Sequence, residues 1–235
     1  MMKAQSVEPA GPLPGWRFES IDTVSQAGKS TNEDRATAST GAAWILDGAT
    51  GLTPQRLFPG PRDPAWLAAT ADELLGRLAR EIDDGMTLPH RFVAEPHQAC
   101  AATALASLGD TDIELPSASL TVAHLIGAEI ELVTLGDCKL LLRQQDGRAE
   151  AFDQSSVALF DAKVVDALRS IQAGSETELR KITPKLTALI RENRLWKNRP
   201  GGYGVLMADP TCLAFAEATR RPAAGATHLR LATDD

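Results

Sequence analysis

Residues 116–142 read PSASLTVAHLIGAEIELVTLGDCKLLL, and this stretch decides the fold class. Three apolar runs stand close together in it: Ala118–Ile126, Glu129–Leu135 and 139–143. Gly127-Ala128 and Gly136-Asp137 separate them. Within the middle run Glu129, Glu131, Val133 and Leu135 alternate with Ile130, Leu132 and Thr134, which is the period of a strand. Gaps this short join antiparallel neighbours, because a parallel pair needs a crossover of roughly a dozen residues or more. Asp146-Gly147 supplies the turn of a further hairpin. An antiparallel meander is the expectation.

On the N-terminal side, the apolar run Ala42-Ala43-Trp44-Ile45-Leu46 reads as a buried strand ending at Asp47-Gly48, with further strands at 35–39 and 18–27. Residues 1–15, with Pro9, Pro12 and Pro14, read as a flexible leader, which leaves 16–235 as one domain. Asp63 and Pro64 suit the start of a helix, and Leu67, Leu74, Leu75, Leu78 and Ile82 recur along one face of it. A second helix is expected at 98–108, extending back through Pro96 if the proline kinks it or marks its first turn. Beyond the meander the apolar spacing predicts two helices between Ser156 and Trp196, divided at Gly174. Strands should resume at 204–208, 213–215 and 227–232. Strands and helices that come in separate groups point to an α+β fold rather than βαβ alternation.

Composition removes several functions. The chain of 235 residues carries 24 basic and 31 acidic side chains, a net charge of −7, with no basic block. That is no footprint for a nucleic acid or an anionic membrane. Cys100, Cys138 and Cys212 are odd in number and far apart, which fits a reducing compartment, and the expected setting is the cytoplasm. No run approaches the roughly 18 apolar residues of a membrane span. A phosphatase with a cysteine nucleophile needs five residues between Cys and Arg, whereas Cys138 and Arg143 have four between them. Gly28-Lys29-Ser30 would end a phosphate loop only with a glycine at position 23, which is Thr23. His90, His97, His124 and His228 show no metal-ligand spacing.

The acidic residues sit at strand ends. Glu33-Asp34, Asp47, Asp137 and Asp234 each stand at or beside the end of a predicted strand, often next to glycine. Any one alone is an ordinary turn, since Asp caps its own backbone and Gly tolerates positive φ. Together they gain another meaning. Two carboxylates about 4 Å apart repel by roughly 4 kcal/mol at an effective dielectric of ~20, so a cluster takes up protons or binds cations. Oxygen donors favour Mg²⁺ or Mn²⁺, with Ca²⁺ possible, and such ions support hydrolysis at phosphorus.

Four segments in order, KSTNEDR (29–35), WILDGATG (44–51), the stretch 116–142 and HLRLATDD (228–235), resemble the successive motifs of the metal-dependent Ser/Thr protein phosphatases, the protein phosphatase 2C or PPM family, most closely its bacterial members. The resemblance implies a four-layer αββα sandwich, two antiparallel β-sheets flanked by helices, with a dinuclear Mn²⁺ or Mg²⁺ site at one end. By position, Asp47 matches the aspartate that bridges both ions and Gly48 the glycine whose carbonyl binds one. Asp234 matches a ligand of the other. Glu33 corresponds to the glutamate holding a metal-bound water, Asp34 to its acidic neighbour, and Asp137 to the aspartate of a weaker third ion. Lys29 stands where the family usually has a phosphate-gripping Arg, a point charge without the fork.

The implied activity is hydrolysis of phosphoserine and phosphothreonine in proteins, the substrate being phosphorylated by a bacterial Ser/Thr kinase and the enzyme a monomer. The His that follows Asp-Gly in eukaryotic members is replaced by Ala49-Thr50-Gly51. After Thr233-Asp234-Asp235 the family's last strands, with one further Asp ligand, have no counterpart, so the resemblance reads as a member truncated at its C-terminus. The alternative reading is a catalytically impaired, phosphatase-like binding or regulatory module.

Overall fold

A computed structural model describes residues 3–7, 15–26, 31–52, 56–81, 91–107, 114–154, 156–172 and 184–233. The architecture is the expected α+β sandwich of two antiparallel sheets flanked by helices. The larger sheet runs in the order β3 (Arg35–Ala38), β4 (Ala42–Gly48), β5 (Ala118–Ile126), β6 (Glu129–Leu135) and β9 (Glu217–Pro222). The smaller one places β7 (Lys139–Gln144) between β8 (Ala149–Phe152) and β10 (Ala226–Ala232). Every pairing is antiparallel, as the short connections of 116–142 require.

Two cores lie on opposite faces of the larger sheet. Helices α1 (Asp63–Glu81) and α2 (Arg91–Ser107) cover one face, where Leu67, Leu75 and Leu78 pack against Trp44, Leu46 and Leu120. The other face meets the smaller sheet, with Ala43, Ile130 and Leu132 against Leu140, Leu142 and Leu229. Burial on both faces explains why β4 is a continuous apolar run rather than an alternating one. In β7 only one face is covered, so Leu140 and Leu142 are buried while Leu141 and Arg143 face out. A fully buried leucine stabilises by about 1.5–3 kcal/mol, so the central strands form the best-held part of the chain. The Trp44 indole donates to Asp72 at 2.7 Å and pins α1 to β4.

Helices α3 (Ser156–Gln172) and α4 (Pro184–Arg194) pack on each other, and α3 leaves directly from β8. Gly174, expected between them, lies outside the described residues. Helix α2 contains Pro96 within it and starts well before it, at Arg91. Among the described residues no helix is long and apolar enough to cross a membrane.

Four sequence expectations need correction. Residues 3–7, read as part of a flexible leader, form β1 (Lys3–Val7), paired antiparallel with β2 (Gly15–Ser20), so backbone pairing orders what composition alone does not. β2 stops at Ser20 instead of running to residue 27. No strand forms at 204–208; Leu206 makes a single bridge, exchanging backbone hydrogen bonds of 2.8 and 3.0 Å with Ala118. Residues 213–215 belong to a 3₁₀ helix (Pro210–Phe215), because Asp209 accepts from the Thr211 N–H and Pro210 presets the first turn. The strand that follows, β9, escapes a hydrophobicity reading because it is a charged edge strand. Its Arg220 reaches the buried Glu131 at 2.9 Å and its Arg221 pairs with Glu150.

Candidate active site

The site grows from the ends of β4, β5 and β6. Register sets Asp47 opposite Ser119 and Gly48 opposite Ala118. Gly136-Asp137 is the turn that ends β6, and there Ser119 Oγ donates to Asp137 Oδ1 at 2.5 Å and accepts from the Asp137 N–H at 3.3 Å. Asp47 and Asp137 are therefore both neighbours of Ser119, the first by strand register and the second by hydrogen bond. Only glycine fits at 136: φ is +99°, and a Cβ would stand 2.3 Å from Ser119 Oγ. The buried Gln154 amide holds the same turn, accepting from the Gly136 N–H at 2.9 Å and donating to the Thr134 and Phe215 carbonyls.

Glu33 approaches from the loop before β3. Its backbone carbonyl lies against Gly48, where a Cβ would come within 2.6 Å of that oxygen, so residue 48 must lack a side chain for Glu33 to sit there. The Glu33 side chain is buried, accepting from Thr50 Oγ1 at 2.5 Å and from Arg62 Nη1 at 3.3 Å. Asp34 is half-buried, with its N–H on Asn32 Oδ1 at 3.0 Å, an Asx turn that orders the approach to β3. Asp63 does not stop at starting α1; its two carboxylate oxygens accept from the Leu57 and Phe58 N–H groups and tie down the preceding loop.

A cleft of about 440 Å³ opens beside Glu33, lined also by Arg62, Glu114, Ser117 and Lys197. Of the acidic residues singled out in sequence, Glu33 lines this cleft, while Asp47 and Asp137 lie at the strand ends beside Ser119 and are not among its walls. Lys29 and Asp234 lie outside the described residues. β10 ends with Ala232 opposite Lys139, two positions along the chain from Asp137. Among the described residues no three His, Cys, Asp or Glu side chains are grouped to hold a metal ion. The acidic side chains at this end of the sheet, Glu33, Asp47 and Asp137, offer oxygen donors, the chemistry that suits a hard divalent cation.

Sequence reasoning missed the basic residues at and beside the cleft. Arg194, at the end of α4, pairs with Glu114 and donates to the Thr50 carbonyl at 2.7 Å. Glu114 also accepts from the Leu52 N–H at 3.2 Å, so one carboxylate and one guanidinium clamp the loop that leaves Gly48. Lys197 donates to Ser117 Oγ at 2.7 Å. Burial, reinforced by neighbouring Arg194 and opposed by Glu114, pushes the Lys197 ammonium down to about 7. Thr50 stands in the segment WILDGATG, where the sequence reading marks only the replacement of a His by Ala49-Thr50-Gly51, and the basic residues have no motif to mark them.

Among solved structures, the Mycobacterium tuberculosis serine/threonine phosphatase PstP/Ppp superposes on this chain with a TM-score of 0.52 at 17% identity, over 94% of this chain and 73% of that one. The Staphylococcus aureus phosphatase Stp1 does so with a TM-score of 0.53 at 14% identity, over 97% and 80%. The chain has the fold of the bacterial Ser/Thr phosphatases. A bacterial serine phosphatase superposes with a TM-score of 0.51 at 13% identity, over 100% of this chain and 78% of that one. No protein-family model and no curated protein matches the chain. The shared phosphatase fold therefore rests on backbone arrangement, with few side chains in common.

Proposed function

We propose that this chain is a metal-dependent phosphomonoesterase that removes phosphate from phosphoserine and phosphothreonine in proteins. The observation that supports the reading is that Asp47, by register, and Asp137, by hydrogen bond, both neighbour Ser119, with Glu33 packed against the adjacent Gly48. Asp47, Asp137, the Gly48 carbonyl and Asp234 would hold Mn²⁺ or Mg²⁺, two ions and a weaker third. When bound, such ions acidify water and stabilise charge on a phosphoryl group. Glu33 and Asp34 orient water by accepting its hydrogen bonds, Thr50 keeps the Glu33 carboxylate in place, and Lys29 receives phosphate as a point charge. The bacterial phosphatases named above support this reading through their fold. Substrates would be proteins phosphorylated by a bacterial Ser/Thr kinase in the cytoplasm, and residues 16–235 would act as one monomeric domain.

One contact favours a second reading, a phosphatase-like binding module. Arg62 Nη1 stands 3.3 Å from Glu33 Oε1 and neutralises charge that water orientation would use. The experiment is hydrolysis of an aryl phosphate and a phosphopeptide in Mn²⁺, with Asp47→Asn and chelator as controls. Activity lost in both controls is expected; activity that survives either one would sink the enzyme reading. Calorimetric titration with Mn²⁺ separates the alternatives, since two tight sites contradict the binding module.

A further inference from the structure

One lining residue of the cleft, Lys197, comes from the segment after α4. The Lys197 side chain is only 8% exposed, and the nearest carboxylate, Glu114, is 4.0 Å from its Nζ. That carboxylate is already engaged by Arg194 and by the Leu52 N–H. Two cations share one carboxylate here, and a buried ammonium with so little compensation is costly until an anion arrives. An ammonium has three N–H donors, and the Ser117 hydroxyl takes one. Arg62 and Arg56 line the same cleft, so its other cations also face the space an anion would fill.

We propose that Lys197, seated on Ser117, is the cation that receives the phosphate group of a phosphomonoester entering this cleft, with Arg62 as its second contact. This deepens the phosphatase reading and rests on it. A phosphate dianion restores the charge balance at Lys197, whose buried ammonium shares the single carboxylate of Glu114 with Arg194. The motif position holds Lys29, a point charge without the guanidinium fork, and Lys197 supplies a further cation for the phosphate.

Calorimetric titration of the metal-free protein with inorganic phosphate, and separately with a phosphoserine peptide, tests the proposal. Both ligands should bind, Lys197→Gln should weaken both by tenfold or more, and Lys197→Arg should recover part of the loss. Equal affinity in wild type and Lys197→Gln overturns it, as does a wild type that binds neither ligand. Binding of the free ion without the peptide overturns the phosphomonoester assignment. A substitution at a buried site can unfold a chain, so the wild type provides a second readout by ¹³C-lysine NMR. Phosphate should raise the Lys197 titration midpoint, and an unmoved midpoint overturns the proposal. A wild type that binds phosphate through Lys197 yet hydrolyses nothing in Mn²⁺ would sink the phosphatase reading and leave this site standing. Hydrolysis in wild type with phosphate affinity unchanged in Lys197→Gln would do the reverse.

Discussion

Replacing Arg194 with Met should loosen the loop that follows Asp47-Gly48. The guanidinium pairs with Glu114 and donates to the Thr50 carbonyl, and the two side chains are 16% and 26% exposed. A hydrogen bond to a charged group contributes about 1.5–3 kcal/mol when shielded, whereas a pair open to water contributes at most about 1 kcal/mol. Most of this contact is out of water, so the two interactions together contribute about 3 kcal/mol. Met keeps an apolar stem of similar length, and Lys197, 4.0 Å from Glu114, takes over part of the ion pair. The net loss is therefore about 2 kcal/mol, which in a chain of this size lowers Tm by about 4–8 °C. Scanning calorimetry reads this directly.

Two local measurements sharpen the test. Amide exchange at Leu52 should accelerate, because its acceptor Glu114 loses its anchor. The Lys197 titration midpoint should rise, because Arg194 no longer repels the ammonium. A Tm within about 1 °C of wild type, with Leu52 protection unchanged, would refute the claim that this pair holds the loop.

Other perturbations probe the same end of the sheet. Gly136→Ala forces a Cβ onto Ser119 Oγ at positive φ and should cost at least about 2 kcal/mol, whereas Gly127→Ala, at φ +56° but in open space, should cost about 1 kcal/mol. Urea unfolding of the two variants checks the order, and equal midpoints would contradict the packing argument. Lys197→Met changes the pH dependence of stability. The unfolded lysine takes up its proton below about pH 10.5 and the folded one only below about pH 7. Between those values the unfolded chain binds more protons, so native stability rises with pH; below about pH 7 both forms are protonated and the contribution is flat. Buried Cys100 and Cys212, pushed up to about 12 and about 11, act in the opposite direction at alkaline pH, and they cancel when variant and wild type are compared. The urea midpoint of wild type should therefore climb more steeply than that of the variant from pH 7 to 8.5, and parallel curves would contradict the assignment.

The central sheet was legible because local signals and burial agree. Gly127 and Gly136 mark turns, both take positive φ, and the intervening runs are apolar on both faces. The place of two acidic residues at strand ends was legible for the same reason, since Asp47 is the second-last residue of β4 and Asp137 follows β6. The Arg194 clamp beside the cleft was not. Arg194 and Glu114 are 80 residues apart, Arg194 and Thr50 are 144 apart, and no periodicity connects them. Such contacts exist only once α4 is docked, so they belong to tertiary packing rather than to local sequence. β9 was missed because its residues are polar; its place depends on pairing with β6, and hydrophobic patterning reports burial, not edge position.

That edge strand matters beyond the native fold. β9 joins β6 on one side and is the last strand of the larger sheet, the kind of border onto which a foreign strand can add in register. Arg220 and Arg221 place paired charges there, and Pro222 offers no N–H to a newcomer. A chain with so apolar a central sheet is exposed to intermolecular strand addition while it folds. The charged border makes self-association the less favourable outcome, so neutralising Arg220 and Arg221 would show up in the solubility of the refolding chain.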